Sequence, residues 1–272
     1  MSMKISQKRA RCVPACLLLA VAGCSAGAAD EAQEYGTSAI SSDPRHTPML
    51  GPSVSFGDDF DAPSLGTEWG WINESQSDWS LTADPGKLRM RRYQGHGFYQ
   101  TPETEHNQTP VPVLNRGPVS LGDGFVAKVK VGFYASIPFG QAGLLIYKDF
   151  DNYIKVPIEF FIQTDMNLVM VQEVGGVHQN GNNGSIDGSG SIPWRYAGEN
   201  MLSAEVRLTY SGGNLLAEGR GLPDGDWVTI ANRPCLLAAG DVRVGLYTES
   251  DQPSAGSDQY AWFDDLSVVG AF

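Results

Sequence analysis

Phe125-Val-Ala-Lys-Val-Lys-Val131 is the stretch that decides the fold class. Phe125, Ala127, Val129 and Val131 fall on one side of an extended chain, and Lys128 and Lys130 fall on the other. That period of two marks a half-buried antiparallel strand. The same reading extends outward. Leu202, Ala204, Val206 and Leu208 alternate with Ser203, Glu205 and Arg207, and Val242, Val244 and Leu246 alternate with Arg243, Gly245 and Tyr247. Further strands are predicted over Trp69–Asn73, Lys87–Arg91, Gly143–Tyr147, Tyr153–Phe161, Leu168–Val174, Leu215–Arg220, Trp227–Ile230 and Tyr260–Val269. Turn signals separate them: Asp84-Pro85-Gly86, Ser211-Gly212-Gly213 and Pro223-Asp224-Gly225. No stretch carries a long amphipathic helical period. So many strands in one segment call for two packed sheets or a closed barrel rather than one flat sheet.

Composition agrees with a turn-rich β protein. Of 272 residues, 42% are apolar and only 18% charged, with 32 Gly and 16 Pro. The apolar share is enough for a packed core and argues against general disorder. Lys and Arg number 19 against 31 Asp and Glu, a formal charge of −12. That balance excludes nucleic acid as a partner, because phosphate binding needs clustered Lys and Arg.

Residues 1–23 read as an export signal, with Lys4, Lys8, Arg9 and Arg11 ahead of an apolar run too short to span a bilayer. Val21-Ala22-Gly23-Cys24 resembles the bacterial lipobox, in which the Cys is lipidated after cleavage. The resemblance implies lipidation at Cys24, attachment to the cell envelope through the lipid, and, with Ser25 rather than Asp next, sorting to the outer membrane where the cell has one. Loss of the leader takes the formal charge from −12 to −16. Residues 24–53 lack an apolar period and are rich in Ala, Ser, Gly, Asp, Glu and Pro, which predicts a flexible tether. Residues 54–272 form the predicted domain. Its longest irregular stretches are Tyr93–Pro112 and Gly175–Gly190.

Several motifs stand in a telling order. Phe56-Gly-Asp-Asp-Phe-Asp-Ala-Pro-Ser-Leu65 precedes Trp69-Gly-Trp71-Ile-Asn73, Trp79-Ser-Leu and Pro85-Gly-Lys-Leu-Arg89. Leu114-Asn-Arg116, Gly143-Leu-Leu-Ile-Tyr147 with Asp151-Asn-Tyr-Ile-Lys155, Val244-Gly-Leu-Tyr247 and Trp262-Phe-Asp-Asp-Leu-Ser-Val268 follow. The ordered set resembles the C-terminal concanavalin A-like domain of glycoside hydrolase family 43 β-xylosidases and related stand-alone domains. The resemblance implies an all-β jelly-roll sandwich of two curved antiparallel sheets. The family's catalytic propeller would lie ahead of this domain, where only the short tether stands, so the reading leans away from an enzyme.

The residues themselves offer three kinds of chemistry. Pyranose rings pack on flat aromatic faces while amides and carboxylates bind the hydroxyls, which makes Trp71, Asn73, Tyr147, Tyr153 and Trp194, with Tyr99 and His106 from the first irregular stretch, candidates for binding an oligo- or polysaccharide. Trp69, Trp79, Trp227 and Trp262 fit core positions. Glycoside cleavage needs two carboxyls; no Glu-x-Asp-x-Glu strand motif is present, Glu249-Ser-Asp251 comes nearest, and Glu159, with Glu173, is the alternative pair for a hydrolase or lyase on the concave face. Asp58, Asp59 and Asp61 at the first strand and Asp264 and Asp265 at the last give hard oxygens for a structural calcium, with Asp59 and Asp264 as its expected ligands, or else hydrogen-bonded turn residues. Asp149-Phe-Asp151-Asn152 reads as an Asx turn. The leading expectation is a surface-anchored, non-catalytic carbohydrate-binding domain. An envelope scaffold that binds protein is the third reading.

Overall fold

Alternation along each strand leaves one apolar face per sheet, and burying two such faces against each other removes both from water. The computed structural model shows this arrangement. It describes residues 55–92, 111–114, 118–122, 124–134, 140–162, 165–179, 188–191, 201–250 and 260–270. These lie within the compact unit Pro48–Phe272, and no α-helix occurs among them. The leader, the tether and Cys24 lie outside the described residues, as do Tyr99, His106 and Trp194.

The first sheet contains β1 (Ser55–Asp58), β3 (Trp79–Ser80), β4 (Leu88–Arg91), β7 (Phe125–Tyr134), β13 (Met201–Ser211), β14 (Asn214–Gly221), β15 (Val228–Pro234) and β17 (Tyr260–Gly270). Its order is β15-β14-β13-β7-β17-β4-β3, with β1 also on β17. The second contains β2 (Trp69–Ile72), β5 (Val111–Leu114), β6 (Val119–Ser120), β8 (Gly140–Asp149), β9 (Asn152–Ile162), β10 (Asp165–Val174), β11 (Val177–His178), β12 (Gly188–Ser191) and β16 (Asp241–Glu249). Its order is β11-β10-β9-β8-β16-β5-β2, with β12 on β10 and β6 on β16. All pairings are antiparallel.

Phe125, Ala127, Val129, Val131 and Phe133 of β7 meet Ala142, Leu144 and Ile146 of β8 and Ile154, Val156 and Ile158 of β9 in one fully buried core. Gln172 ties the two sheets at one side: its Nε2 donates to the Pro234 carbonyl (3.0 Å) and its Oε1 accepts from the Leu236 amide (2.9 Å). On the other side Thr248 Oγ1 of β16 donates to the Arg91 carbonyl of β4 (2.7 Å).

The turn signals take the geometry their residues require. Gly212 and Gly213, with φ of 55° and 81°, close the two-residue hairpin between Ser211 and Asn214, a backbone that side chains with a Cβ resist. Asp149 Oδ1 accepts from the Asp151 amide (3.0 Å) and from Asn152 Nδ2 (2.7 Å), the expected Asx turn between β8 and β9.

Three readings need correction. Gly175–Gly190 does not begin as an irregular loop. Gly175 and Gly176 (φ 63° and 70°) make a tight turn that returns β11 onto β10. Trp262 is not in the core, because Ala261 and Phe263 take the inward positions of β17 and period two turns the indole outward. Trp227 likewise lies against the guanidinium groups of Arg207 (4.1 Å) and Arg220 (5.0 Å), which sit on the outward face of the first sheet.

β17 also keeps its inward period only through a bulge. The register on β7 slips between Asp264 and Ser267, and Asp265 adopts φ 49°. Leu266 and Val268 then point inward where an unbroken strand would present Asp265 and Ser267. Phe263→Ala should therefore destabilise the fold by about 3–5 kcal/mol, measured by urea unfolding. Val269→Ala, at a 42% exposed site in the same strand, should stay within about 0.5 kcal/mol of the parent.

Candidate functional site

The outer face of the second sheet carries the unusual chemistry. In an antiparallel sandwich that face is commonly solvated and polar. Here it is polar yet buried. Tyr153, Lys155, Glu159, Glu173, Tyr247 and Glu249 all project from it, and none is more than 4% exposed. The period of two puts them there, since their neighbours Ile154, Val156, Ile158 and Leu246 face the core.

Strand register sets the layout. Glu249, Gln141, Glu159 and Asn167 stand opposite one another in a row across β16, β8, β9 and β10. A second row runs Arg243, Tyr147, Tyr153, Glu173 and His178. Between them, Lys155 of β9 reaches over β8 to Glu249 of β16, with Nζ donating to Oε1 at 2.5 Å. Its Nζ lies 5.7 Å from the centre of the Tyr247 ring. A Cβ on Gly143 would meet the Val156 carbonyl oxygen at 2.3 Å, so this close approach of β8 to β9 demands glycine.

Each carboxylate accepts from a donor of the chain. Tyr153 Oη donates to Glu173 Oε2 (2.7 Å). Tyr247 Oη donates to Gln141 Oε1 (3.0 Å), and Gln141 Nε2 in turn donates to Glu159 Oε2. Burial, reinforced by the charge of Glu173, pushes the Tyr153 phenol far above its usual range. Burial followed by Glu249 does the same to Tyr247. Both phenols are held as donors.

At one end of this face the polar network gives way to a second apolar cluster of Leu145, Tyr147, Tyr153 and Tyr247, packed by Ile72 and Phe150. Phe150 meets Tyr147 edge-on, with ring centroids 5.6 Å apart. Phe150 and Ile72 are half-buried, and Arg243, Lys148 and Asp149 are exposed beside them. Their exposure leaves this end of the face open to solvent.

The structure thus brings together Tyr147, Tyr153, Glu159 and Glu173 as one constellation. It leaves Trp71 out, because that indole packs against the core and stacks on Trp79 with centroids 5.0 Å apart. Asn73 follows β2 in a left-handed conformation, φ 57°. Tyr153 is completely buried and presents no ring face to a sugar. Sequence reasoning missed Lys155, Gln141 and Tyr247. Lys155 in the run Tyr-Ile-Lys-Val-Pro-Ile-Glu was the available signal: a lysine inside a strand bounded by apolar residues needs a buried partner.

The acidic residues expected to hold calcium already have partners within the chain. β1 and β17 are neighbours as expected, with Asp58 opposite Leu266. However, Asp58 spends Oδ1 on the Phe60 amide (2.8 Å) and Oδ2 on Trp69 Nε1 (2.6 Å). Asp59 Oδ1 accepts from the Asp61 amide (3.2 Å). Asp265 pairs with Lys130, whose Nζ also lies 3.9 Å from Asp264. A shallow cleft of about 660 Å³ between β1 and the bulge includes Asp58, Asp59 and Asp265, but Lys128 lines it as well. Among the described residues no group of three or more His, Cys, Asp or Glu gathers closely enough to hold a metal ion.

Fold and site define a concanavalin A-like β-sandwich. The family described as the β-xylosidase C-terminal concanavalin A-like domain matches residues 57–207, more than half of the chain, and the chain belongs to that family. Among solved structures it is similar to the GH43 protein BlXynB of Bacillus licheniformis (18% identity, TM-score 0.60, covering 79% of this chain and 39% of that one). It is similar to the xylan β-1,4-xylosidase of Bacillus halodurans C-125 (17%, TM-score 0.59, 78% and 38%). It also matches the CBM2 module of the evolved Dit protein of Lactobacillus casei BL23 phage J-1 (12%, TM-score 0.52, 81% and 97%). The chain spans about two fifths of the length of the two hydrolases. No curated protein sequence matches it.

Two predictions follow from the buried network. Lys155→Met should cost about 3–5 kcal/mol, because it strands Glu249 without its cation; the double variant Lys155→Met/Glu249→Leu should recover most of that in the same unfolding measurement. Burial, with the Lys155 charge second, lowers the His178 pKa from 6.5 to about 4. The unfolded chain therefore binds the extra proton first. The stability held by neutral His178 is complete above pH 6.5 and is lost as pH falls toward 4, by up to ~3 kcal/mol. Unfolding curves across that window should be flatter for His178→Gln than for the parent.

Proposed function

We propose that this chain is a non-catalytic carbohydrate-binding accessory domain, held at the cell envelope by a lipid on Cys24, and that a saccharide rests on the open apolar end of the second sheet's outer face. The observation that carries the reading is the joining of an aromatic and aliphatic cluster, Tyr147, Phe150 and Ile72, to a row of hydrogen-bonding groups, in a chain that belongs to a family of β-xylosidase domains. Sugar CH faces pack on the cluster while Arg243, Asp149 and the adjoining amides meet the hydroxyls. The likeness to a phage carbohydrate-binding module of nearly the same extent supports the same reading.

The protein should retain on a glycan array one or more neutral polysaccharides such as xylan, arabinan or glucan. Tyr147→Ala and Phe150→Ala should each weaken that binding at least tenfold with circular dichroism unchanged. Absence of binding to every glycan, or native binding by both variants, would refute the assignment. Radiolabelled palmitate incorporation that disappears in Cys24→Ala tests the anchor.

The gathering of Glu159, Glu173 and Glu249 on one face favours a second reading, glycoside cleavage at that face. Reducing-sugar release abolished by Glu159→Gln and by Glu249→Gln would establish it.

A further inference from the structure

The outer face of the first sheet holds a feature that the second sheet's site does not use. Arg89 of β4 stands directly opposite Trp262 of β17, and both are half-buried. Arg89 Nε and Trp262 Nε1 are each buried without a hydrogen-bond partner. A buried donor left unmatched is destabilising by about 1–3 kcal/mol, and here two of them sit on facing positions whose Cβ atoms are about 5 Å apart. The neighbouring basic groups are matched: Arg91 pairs with Asp78 (3.3 Å) and Lys87 with Asp84 (3.1 Å). Arg89 has no carboxylate within ion-pair distance among the described residues. Its guanidinium is instead stacked on the Tyr260 ring at 4.3 Å, which fixes its plane.

The surroundings suit a ring as well as a charge. Gly132 is the residue opposite Trp262 on β7, and Ser203 follows on β13. These small residues leave a low shelf beside the indole. Lys87 lies over the indole at 4.9 Å from its centre and is the side chain a ligand would displace.

We propose that Arg89 and Trp262 form a second binding site, which takes a uronic acid unit of an otherwise neutral saccharide. One carboxylate oxygen sits between Arg89 Nε–H and Trp262 Nε1–H, and the sugar ring lies along the indole and the Gly132 shelf. A single carboxylate fits the chemistry better than a polyanion. The two donors belong to directly paired residues, whereas the chain as a whole carries −12 and repels an extended row of negative charges.

The test follows the indole N–H resonance of Trp262 in the full chain, assigned with Trp262→Phe. The probes are an oligosaccharide bearing one glucuronic acid, the same oligosaccharide with that carboxyl reduced to the alcohol, and polygalacturonate. The expected result is a saturable shift with the acidic oligosaccharide and at least tenfold weaker binding of the reduced one. Arg89→Gln should weaken the acidic oligosaccharide at least tenfold, with Arg89→Lys between it and the parent. Trp262→Phe, which keeps a ring and removes only the N–H, should weaken it severalfold by calorimetry and guards against misfolding of the arginine variants. Val269→Ala, at an exposed site of the same strand, should leave it unchanged. Equal binding of the reduced oligosaccharide, an unmoved Trp262 resonance, native affinity in Arg89→Gln, or tighter binding of polygalacturonate than of the single acid would each overturn the proposal.

Discussion

Lys155 and Glu249 are both removed from water, and their 2.5 Å contact lets the outer face of the second sheet be buried at all. A lone ammonium or carboxylate in that position would carry a desolvation penalty of several kcal/mol. Paired, the two charges neutralise each other, and Tyr153 and Gln141 donate to the carboxylates of Glu173 and Glu159. The pairing also fixes geometry. Lys155 of β9 reaches Glu249 of β16 over the intervening strand β8, where Gly143 leaves no room for a Cβ beside the Val156 carbonyl. Burial, charge pairing and strand spacing at this face are therefore one constraint.

The first sheet solves its outward face differently. Glu205 lies between Lys128 (2.8 Å) and Arg220 (2.5 Å), and Arg207 meets Glu218 (2.8 Å). The cations are about a third exposed, so solvent screens these contacts and each is worth little alone. They hold Trp227 flat against Arg207 and Arg220. The two faces of the sandwich thus offer different surfaces. One is a closed polar network with an apolar end. The other is an open ladder of charges interrupted at Arg89 and Trp262.

Much of this arrangement could be read from the chain. The alternation around Val129, Val206 and Val244 specifies which residues face the core, because a one-residue slip would expose every one of them. The Gly212-Gly213 and Asp149–Asn152 turns are local, and their side chains or lack of them dictate the backbone. The same period rule, applied to Trp262, points outward from Phe263; a tryptophan's size suggested burial, and the strand's phase prevailed. The bulge at Asp264–Ser267 shows where periodicity fails, since the inward residues after it are one position out of step.

Strand phase, turn positions and the apolar core were properties of neighbouring residues, and so were legible in linear order. The candidate sites were not. Glu249 and Lys155 are 94 residues apart in the chain, and Arg89 and Trp262, on paired strands, come from near the two ends of the domain's sequence. Whether a carboxylate meets an ammonium, an amide or another carboxylate depends on which strands become neighbours and in what register. That choice is made by the packing of two whole sheets. It is also why Trp71, equally aromatic in the sequence, packs against the core and Trp79 while Tyr147 joins the cluster on the outer face of the second sheet.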